Sequence, residues 1–255
     1  VGSEMCIRDR YMIPKKIHYC WFGKGKKSRL ALKCIESWHQ YCQDYEMIEW
    51  NEENFDIDMN GYTRMCYAEK KYAYLSDYVR LWAVEKYGGI YLDTDVEVIR
   101  PLEKLLQEDA YFGFENKRYV NTGLGFGSAA HGAVVQAMLK EYDVLLDGKN
   151  GVRMCPELNT KALTALGLKQ NGQKQKIWEA AVYPVNVLNP YDSATGKLEK
   201  TADTVSIHWY AASWMNTAQK LRGKITRPIH RIWGVDVFKL SLIHISEPTR
   251  LALIS

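Results

Sequence analysis

Short apolar runs alternate with segments of helical periodicity along most of the chain. The predicted strands lie at 15–21, 45–50, 87–98, 110–115, 123–128 and 204–210. The predicted helices lie at 28–42, at 62–87 with a break between 71 and 76, and at 132–146. Ser28 is a candidate N-cap for the first helix, and Gly88 with Gly89 ends the second. This alternation predicts an α/β fold with a mostly parallel or mixed sheet covered by helices.

The two ends of the chain differ from the rest. The segments VGSEMCIRDR and LSLIHISEPTR can be encoded by one DNA tag read on opposite strands, and the tag resembles a sequencing-library adapter. We therefore exclude residues 1–11 and 240–255 from fold reasoning. Residues 12–239 are predicted to form one domain, with Met12 as the expected natural start.

Charge, hydropathy and cysteine usage narrow the class of protein. The 255 residues have a formal net charge of +4, and their lysines are scattered apart from the cluster KGKK at 24–27, so no nucleic acid partner is predicted. No apolar run reaches transmembrane length. Outside the excluded ends the cysteines form an odd set without CxxC spacing, which favours reduced thiols and a cytoplasmic location. Peripheral association with the inner face of a membrane stays open.

Two carboxylates interrupt the apolar pattern of the stretch YGGIYLDTDVEV at 87–98. Isolated carboxylates are costly to bury, yet Asp93 and Asp95 directly follow apolar strand residues. In an extended strand both side chains point to one side and Thr94 points to the other. Ligands of α/β sheets bind at the carboxyl ends of strands, and two hard oxygen ligands there suit Mg²⁺ or Mn²⁺. A bare D-x-D is also typical of a turn with solvated carboxylates. The surrounding sequence is therefore needed to distinguish a metal site from such a turn.

Three segments together resemble one family of enzymes. KYGGIYLDTDVEV, the upstream SDYVR and the early IHYCWFG are similar to glycosyltransferases with a DXD sugar-binding region, a family that includes initiating mannosyltransferases and bacterial capsular-polysaccharide transferases. The same segments are more distantly similar to the large clostridial glucosylating toxins. The resemblance spans residues 12 to about 216. It implies a GT-A type fold, with a single Rossmann-like mixed sheet flanked by helices and a metal-dependent nucleotide-diphospho-sugar site.

The resemblance implies roles for the charged residues. Asp95 would bind the metal directly, and Asp93 would contact the ribose or reach the metal through water. His208 is the best candidate for a third metal ligand, although a lone histidine in an apolar strand is also typical of a core. Asp77 and Arg80 would bind hydroxyls of the donor sugar, whereas their spacing alone favours a salt bridge within a helix.

Further donor contacts are implied at five positions. Trp21 would stack on the nucleotide base, and Ser76 belongs to the donor-binding SDYVR segment. Asn121, in the segment VNTGLGFG, would lie near the donor sugar. Ser213 and Trp214 would contact the diphosphate. From the residues alone, Trp21 could equally be a core side chain and the glycine-rich segment an ordinary strand and turn.

The expected function is metal-dependent transfer of a hexose from UDP- or GDP-hexose, with retention of configuration, to a saccharide or lipid-linked oligosaccharide acceptor. Such an enzyme would act in the synthesis of capsular or other surface polysaccharide. One alternative is a glycoside hydrolase that uses Asp93 and Asp95 as acid and nucleophile, since carboxylates about 5 Å apart suit retention. Another is a catalytically inactive protein that binds nucleotide-sugars or glycans.

Overall fold

The computed structural model describes residues 12–211. These residues fall into two units. One unit comprises residues 12–190 and 199–211, and the hairpin Tyr191–Leu198 belongs to the other. Ser213 and Trp214 lie outside the described residues, so their predicted diphosphate contacts stay predictions.

Eleven short strands are present among residues 12–211. They are β1 (Lys16–Cys20), β2 (Glu46–Trp50), β3 (Gly89–Tyr91), β4 (Val96–Val98), β5 (Ala110–Gly113), β6 (Phe126–Ser128), β7 (Gln175–Ile177), β8 (Ala180–Tyr183), β9 (Tyr191–Asp192), β10 (Lys197–Leu198) and β11 (Ser206–His208). The first two match their predicted positions to within one residue. The strand predicted at 87–98 is instead divided into β3 and β4, with Asp93 and Asp95 in the turn between them.

Seven strands form one mixed sheet in the order β2-β1-β3-β6-β5-β8-β7. Strand β1 is parallel to β2 and β3, and β5 is parallel to β8. Strand β6 lies antiparallel between β3 and β5, so β1, β3, β5 and β8 all run in one direction. Their carboxyl ends therefore meet at one edge of the sheet. Two smaller antiparallel pairs, β4 with β11 and β9 with β10, are also present among residues 12–211.

Six α-helices are present in the same part of the chain. They are α1 (Arg29–Tyr41), α2 (Gly61–Ala68), α3 (Tyr72–Tyr87), α4 (Ala133–Lys140), α5 (Cys155–Ala165) and α6 (Val185–Leu188). Helix α1 begins as predicted, because the Ser28 hydroxyl accepts a hydrogen bond from the Ala31 backbone N–H at 3.1 Å. The long helix is broken as predicted, but the break lies at 69–71 rather than at 71–76, and it separates α2 from α3.

Alternate residues of the central strands face two separate apolar cores. Tyr91 packs with the cluster that contains Phe112 and Phe126, whereas its neighbours Ile90 and Leu92 pack with the cluster that contains Trp38. This alternation is the period of two that a strand imposes on its side chains. The predicted α/β class, with one mixed sheet flanked by helices, is confirmed.

Two predicted elements are shorter than expected. The glycine-rich segment 123–128 begins as a 3₁₀ turn, Thr122–Leu124, before β6 starts. The helix predicted at 132–146 ends at Lys140 and continues as the separate 3₁₀ turn Asp143–Leu145. The region 147–200, which carries no clear sequence pattern, contributes α5 and the strands β7 and β8. Between residues 12 and 211, no helix has the length and apolar character needed to cross a bilayer.

Candidate functional site

The candidate site begins at the junction between helix α3 and strand β3. Gly88 and Gly89 both have positive φ, 62° and 113°, which lets the chain reverse direction without the strain that a side chain would add. A Cβ atom on Gly89 would lie 2.8 Å from the Lys16 carbonyl oxygen of β1. The two glycines therefore set α3 directly beside the strand that leads to the aspartates.

The residues after β3 form a tight turn. The Val96 backbone N–H donates to the Asp93 carbonyl oxygen at 2.9 Å, an i to i+3 hydrogen bond. The expectation that Asp93 and Asp95 share a side through the two-residue repeat of a strand is therefore wrong. A turn, rather than strand pleating, brings the two carboxylates together.

Strand β11 brings His208 to this turn. His208 pairs with Val96 across the antiparallel β4–β11 ladder, and the next backbone N–H, of Trp209, donates to the Asp95 carbonyl oxygen at 2.9 Å. The Nε2 atom of His208 lies 3.1 Å from Oδ1 of Asp95. A late segment of the chain is thereby fixed against the acidic turn.

Asp93, Asp95 and His208 offer one ligand atom each, and these atoms all lie within 4.8 Å of one another. Among residues 12–211 this is the one such group of acidic, histidine or cysteine side chains. Two carboxylates and an imidazole are a donor set that suits Mn²⁺, and oxygen ligands also suit Mg²⁺. The residues present therefore fit the metal that the sequence predicts.

The ionisation of the group is set by its own charges. Burial raises the pKa of Asp95, but the facing His208 and the Ala211 backbone N–H, which donates to Oδ2 at 2.7 Å, outweigh it and hold the pKa below its ordinary value. Burial lowers the pKa of His208, but Asp95, Asp93 and Glu115 raise it above its ordinary value. The two carboxylates thus create a negative potential that favours a cationic partner.

Arg80 joins the helix to the turn. Its Nη2 atom lies 3.0 Å from Oδ1 of Asp77, one helical turn earlier, and 3.0 Å from Oδ1 of Asp93. Its guanidinium carbon also lies 4.9 Å from the centre of the Tyr91 ring, and the Tyr91 hydroxyl donates to the same Asp93 oxygen at 2.9 Å. The intrahelical salt bridge expected from spacing is present. It is part of a larger buried network that includes the predicted metal site.

Asp93 and Asp95 differ in electrostatic environment. Burial raises the pKa of Asp93, and the nearby Asp95 adds to the shift, although Arg80 opposes it. Because the two carboxylates lie close together, each disfavours the charge of the other. A divalent cation between them would relieve this repulsion.

Asn121 and Gly123 bring the loop after β5 to the same place. The Asn121 side-chain oxygen accepts from the Gly123 backbone N–H at 2.7 Å and caps the 3₁₀ turn. A Cβ atom on Gly123 would lie 2.5 Å from Oδ2 of Asp93 and 3.0 Å from Nη1 of Arg80. Only a glycine allows the backbone to approach the Arg80–Asp93 pair this closely.

Trp21 and Ser76 lie at the same edge of the sheet. Trp21 directly follows β1, its indole N–H donates to the Gly25 carbonyl oxygen at 2.6 Å, and the Lys27 ammonium lies 5.6 Å from the ring centre. The ring is half-buried and held in one orientation, as a stacking platform requires. The Ser76 hydroxyl donates to the Tyr72 carbonyl oxygen at 2.9 Å, and the Ser76 carbonyl oxygen accepts from Nε of Arg80 at 3.2 Å.

His18 has a structural role. Its Nδ1 atom accepts from the Trp50 indole N–H at 3.1 Å, so Nε2 carries the proton and donates to the Gly88 carbonyl oxygen at 2.8 Å. Burial lowers the pKa of His18, and the ring stays neutral. His18 therefore links β1 to the junction of α3 and β3.

Three contributors to the site were missed in the sequence. Tyr91 bonds to Asp93, Gly123 approaches it, and Ala211 donates to Asp95. Tyr91 lies two residues before Asp93 in the same strand-like stretch, a spacing that could have indicated it. The other two contacts join segments far apart in the chain, and the local sequence holds no signal for them.

The comparisons with known proteins agree with the resemblance seen in the sequence. The family described as glycosyltransferase sugar-binding region containing DXD motif matches residues 28–112. This range includes α1, α3 and the acidic turn. The predicted resemblance to DXD glycosyltransferases is confirmed for this part of the chain, and it agrees with the GT-A type of α/β fold.

Individual relatives include two transferases. A human alpha-1,4-N-acetylglucosaminyltransferase is 34% identical over 101 residues, which is 38% of this chain and 27% of that protein. Inositol phosphoceramide mannosyltransferase 3 of Schizosaccharomyces pombe is 33% identical over 117 residues, which is 43% of this chain and 32% of that protein. The matched part thus spans about a third or less of the length of these curated relatives.

Two solved structures show a weak overall likeness to this chain. PaToxG glycosyltransferase has a TM-score of 0.46 at 16% identity and covers 60% of this chain and 70% of its own. A glycosyltransferase involved in glycosylation of the major capsid of PBCV-1 has a TM-score of 0.46 at 14% identity and covers 82% and 98%. Likeness of this degree adds nothing on substrate.

Proposed function

We propose that the protein is a metal-dependent glycosyltransferase that transfers a hexose from a nucleotide-sugar to a saccharide acceptor. The observation that supports this most is the group of Asp93, Asp95 and His208 at the carboxyl edge of the sheet. Asp93 and Asp95 lie within residues 28–112, the range that matches the DXD family. When bound there, Mn²⁺ or Mg²⁺ would offset the charge of a diphosphate leaving group.

The chain's own residues bind and orient the donor in this proposal. Trp21 stacks on the base and Asp93 faces the ribose. Asp77 and Arg80, whose side chains are 9% and 4% exposed, form a rigid pair that accepts from and donates to sugar hydroxyls. Because Arg80 is fixed by two carboxylates before the donor arrives, little side-chain entropy is lost on binding.

Asn121 and Ser76 complete the donor side. The Asn121 amide is held by Gly123, and the Ser76 carbonyl oxygen positions Arg80. Ser213 and Trp214 are proposed to contact the diphosphate from the segment that follows Ala211. Transfer with retention of configuration, a UDP- or GDP-hexose donor and a role in capsular or other surface polysaccharide synthesis belong to the proposal as well. So do a saccharide or lipid-linked oligosaccharide acceptor and a cytoplasmic location; the five cysteines among residues 12–211 are all buried free thiols.

A panel of UDP- and GDP-sugars, each incubated with the protein and Mn²⁺, tests the proposal. We expect donor hydrolysis or transfer with one sugar class and loss of turnover in EDTA. Full activity in EDTA on a glycoside would support a hydrolase that uses Asp93 and Asp95. Binding of a nucleotide-sugar with Mn²⁺ but without turnover on any acceptor would support a binding protein instead.

A further inference from the structure

A further carboxylate, that of Glu115, lies at the edge of the site and follows a different strand from the acidic turn. Strands β3 and β5 run in the same direction, so Glu115, two residues after the end of β5, lies at the same edge of the sheet as Asp93 after β3. Phe114 pairs with Val120 across a tight loop, and this places Glu115 and Asn121 on one face.

The contacts of Glu115 join the donor side to the metal side. Its Oε1 atom accepts from the Asn121 side-chain N–H at 3.2 Å and from the Tyr210 hydroxyl at 3.5 Å. The Tyr210 ring in turn lies 4.1 Å, centre to centre, from the His208 ring. Glu115 therefore stands between a residue proposed to contact the donor sugar and a residue proposed to bind the metal.

The carboxylate has capacity left for a ligand. Within residues 12–211, no side chain or backbone group donates a hydrogen bond to Oε2 of Glu115, and no lysine, arginine or histidine forms an ion pair with it. It also lies outside the group of side chains whose ligand atoms are within 4.8 Å of one another, so it is not a further metal ligand of that group. A half-buried carboxylate with one free oxygen is suited to accept from a hydroxyl.

A neighbouring amide supports a ligand in the same place. Asn189 follows α6, which continues from β8 at the same sheet edge. Its side-chain N–H groups donate to the Tyr210 hydroxyl at 2.7 Å and to the Glu115 carbonyl oxygen at 3.2 Å. Its Oδ1 atom is buried and has no hydrogen-bond partner among the described residues. Buried unsatisfied polar atoms are uncommon, and one occurs where a ligand or water completes the hydrogen bonding.

The neighbouring groups are one carboxylate, two amides and one phenol, from Glu115, Asn121, Asn189 and Tyr210. Such a set of hydrogen-bonding groups is suited to recognise a polyhydroxylated ring. We propose that Glu115 accepts a hydrogen bond from a hydroxyl of the transferred sugar and thereby selects between sugars that differ at that hydroxyl. This inference rests on the proposed function and assigns a specificity-determining residue to it. Asn189 and Tyr210 act as positioning residues, because they hold the Glu115 backbone and side chain in place.

Glu115→Gln tests the proposal, because the amide keeps the size of the side chain but loses the charge and one acceptor. Glu108→Gln is a matched control: Glu108 lies at the other end of β5, is also half-buried, and also accepts from a tyrosine hydroxyl, that of Tyr183, at 3.5 Å. Two quantities are measured for each variant. They are the affinity for UDP or GDP with Mn²⁺, by calorimetry, and kcat/KM for the best nucleotide-sugar and its epimers.

We expect Glu115→Gln to lower kcat/KM for the best donor about 10- to 100-fold, as the loss of a hydrogen bond to a charged group implies, and to narrow the preference between epimers. The affinity for the nucleoside diphosphate with Mn²⁺, which lacks the transferred hexose, should stay at the wild-type value, and Glu108→Gln should change neither quantity. Glu115→Asp, which keeps the charge but shortens the reach, should lose kcat/KM in the same way and serves if the glutamine variant unfolds.

Three results would overturn the assignment. Wild-type kcat/KM and epimer preference in Glu115→Gln would show that no sugar hydroxyl depends on it. An equal loss of affinity for the nucleoside diphosphate without its hexose would show that Glu115 acts through His208 and the metal instead. A wild-type chain that neither binds a nucleoside diphosphate with Mn²⁺ nor uses any nucleotide-sugar would overturn the proposed function, and this inference with it.

Discussion

The Nη2 atom of Arg80 lies 3.0 Å from Oδ1 of Asp93, so the helix before β3 and the turn after it meet in one ion pair. The same guanidinium binds Asp77, and its side chain is only 4% exposed. Neither carboxylate can be left without this partner at low cost, because burying an unpaired charge is strongly unfavourable. The pair therefore links the stability of the fold to the geometry of the proposed donor site.

Arg80→Ala should lower the free energy of unfolding by about 3–5 kcal/mol, because it leaves one buried and one half-buried carboxylate without their cation. Urea unfolding followed by circular dichroism measures the change. Arg64→Ala is the control, since Arg64 forms an exposed ion pair with Asp58 and should cost about 0–1 kcal/mol. Equal losses in the two variants would mean that the buried network contributes no more to the free energy of unfolding than an exposed ion pair does.

Gly123→Ala should reduce donor turnover while the fold persists. The added methyl group would lie 2.5 Å from Oδ2 of Asp93, so either the loop or the carboxylate has to move. Movement on the order of 1 Å in a catalytic site can cost about 100-fold in rate. The comparison is with Gly25→Ala, where a Cβ atom meets no other atom within 4 Å. Wild-type turnover in Gly123→Ala would show that the close approach has no functional role.

Trp21→Ala should weaken binding of UDP or GDP about 10-fold or more, because stacking of an aromatic ring on a base contributes about 1–3 kcal/mol. Trp21→Phe should retain most of the affinity. Trp178, which is 63% exposed and follows β7, supplies the control Trp178→Ala. Calorimetric titration with each nucleotide measures the effect. Unchanged affinity in Trp21→Ala would remove the base-stacking role.

The buried neutral His18 should make the protein less stable in mild acid. Its pKa lies below the ordinary value of 6.5 in the folded chain, mainly because of burial, so the unfolded chain takes up the proton first. The contribution of His18 to stability is thus complete above about pH 7 and is lost as pH falls below 6.5, with a slope of at most about 1.4 kcal/mol per pH unit. Urea unfolding at pH 7 and pH 5 should show a smaller pH-dependent loss in His18→Gln than in wild type. An equal loss in both would contradict the assignment.

Local sequence signals predict much of this fold correctly. The hydroxyl of Ser28 caps α1, and the pair Gly88-Gly89 ends α3, because both depend on residues next to them in the chain. The α/β class follows from the alternation of strand-like and helix-like hydrophobic periodicity along the chain. Region 147–200 could not be assigned, since its helix and strands are short and are stabilised by packing against distant parts of the sheet.

The sequence indicates the residue types of the candidate site but not their geometry. Asp93 and Asp95 were identified from the strand that precedes them, yet a turn and not an extended strand sets their orientation. The Arg80–Asp93 bond and the placement of His208 beside Asp95 depend on strand order and on the β4–β11 pairing. Those pairings are long-range contacts, and periodicity in one segment contains no information about them.

Glu115 shows how a signal can be present and overlooked. It follows the apolar strand AYFGF just as Asp93 follows GIYL, and both strands end at the same edge. Without the strand order, a single glutamate after a strand is indistinguishable from a solvated loop residue. Only the strand order of the sheet shows that Glu115 lies at the same edge as Asp93.

The most direct test of the central claim is calorimetry of UDP and GDP binding, with Mn²⁺ and with EDTA, to the wild-type protein and to Asp95→Asn. The account predicts that wild type binds one nucleotide in Mn²⁺ and not in EDTA, and that Asp95→Asn loses the Mn²⁺-dependent binding while it unfolds at a similar urea concentration. Asp58→Asn, a change at an exposed carboxylate, should behave as wild type. Mn²⁺-dependent binding of wild-type affinity in Asp95→Asn, or no nucleotide binding in any form, would contradict it.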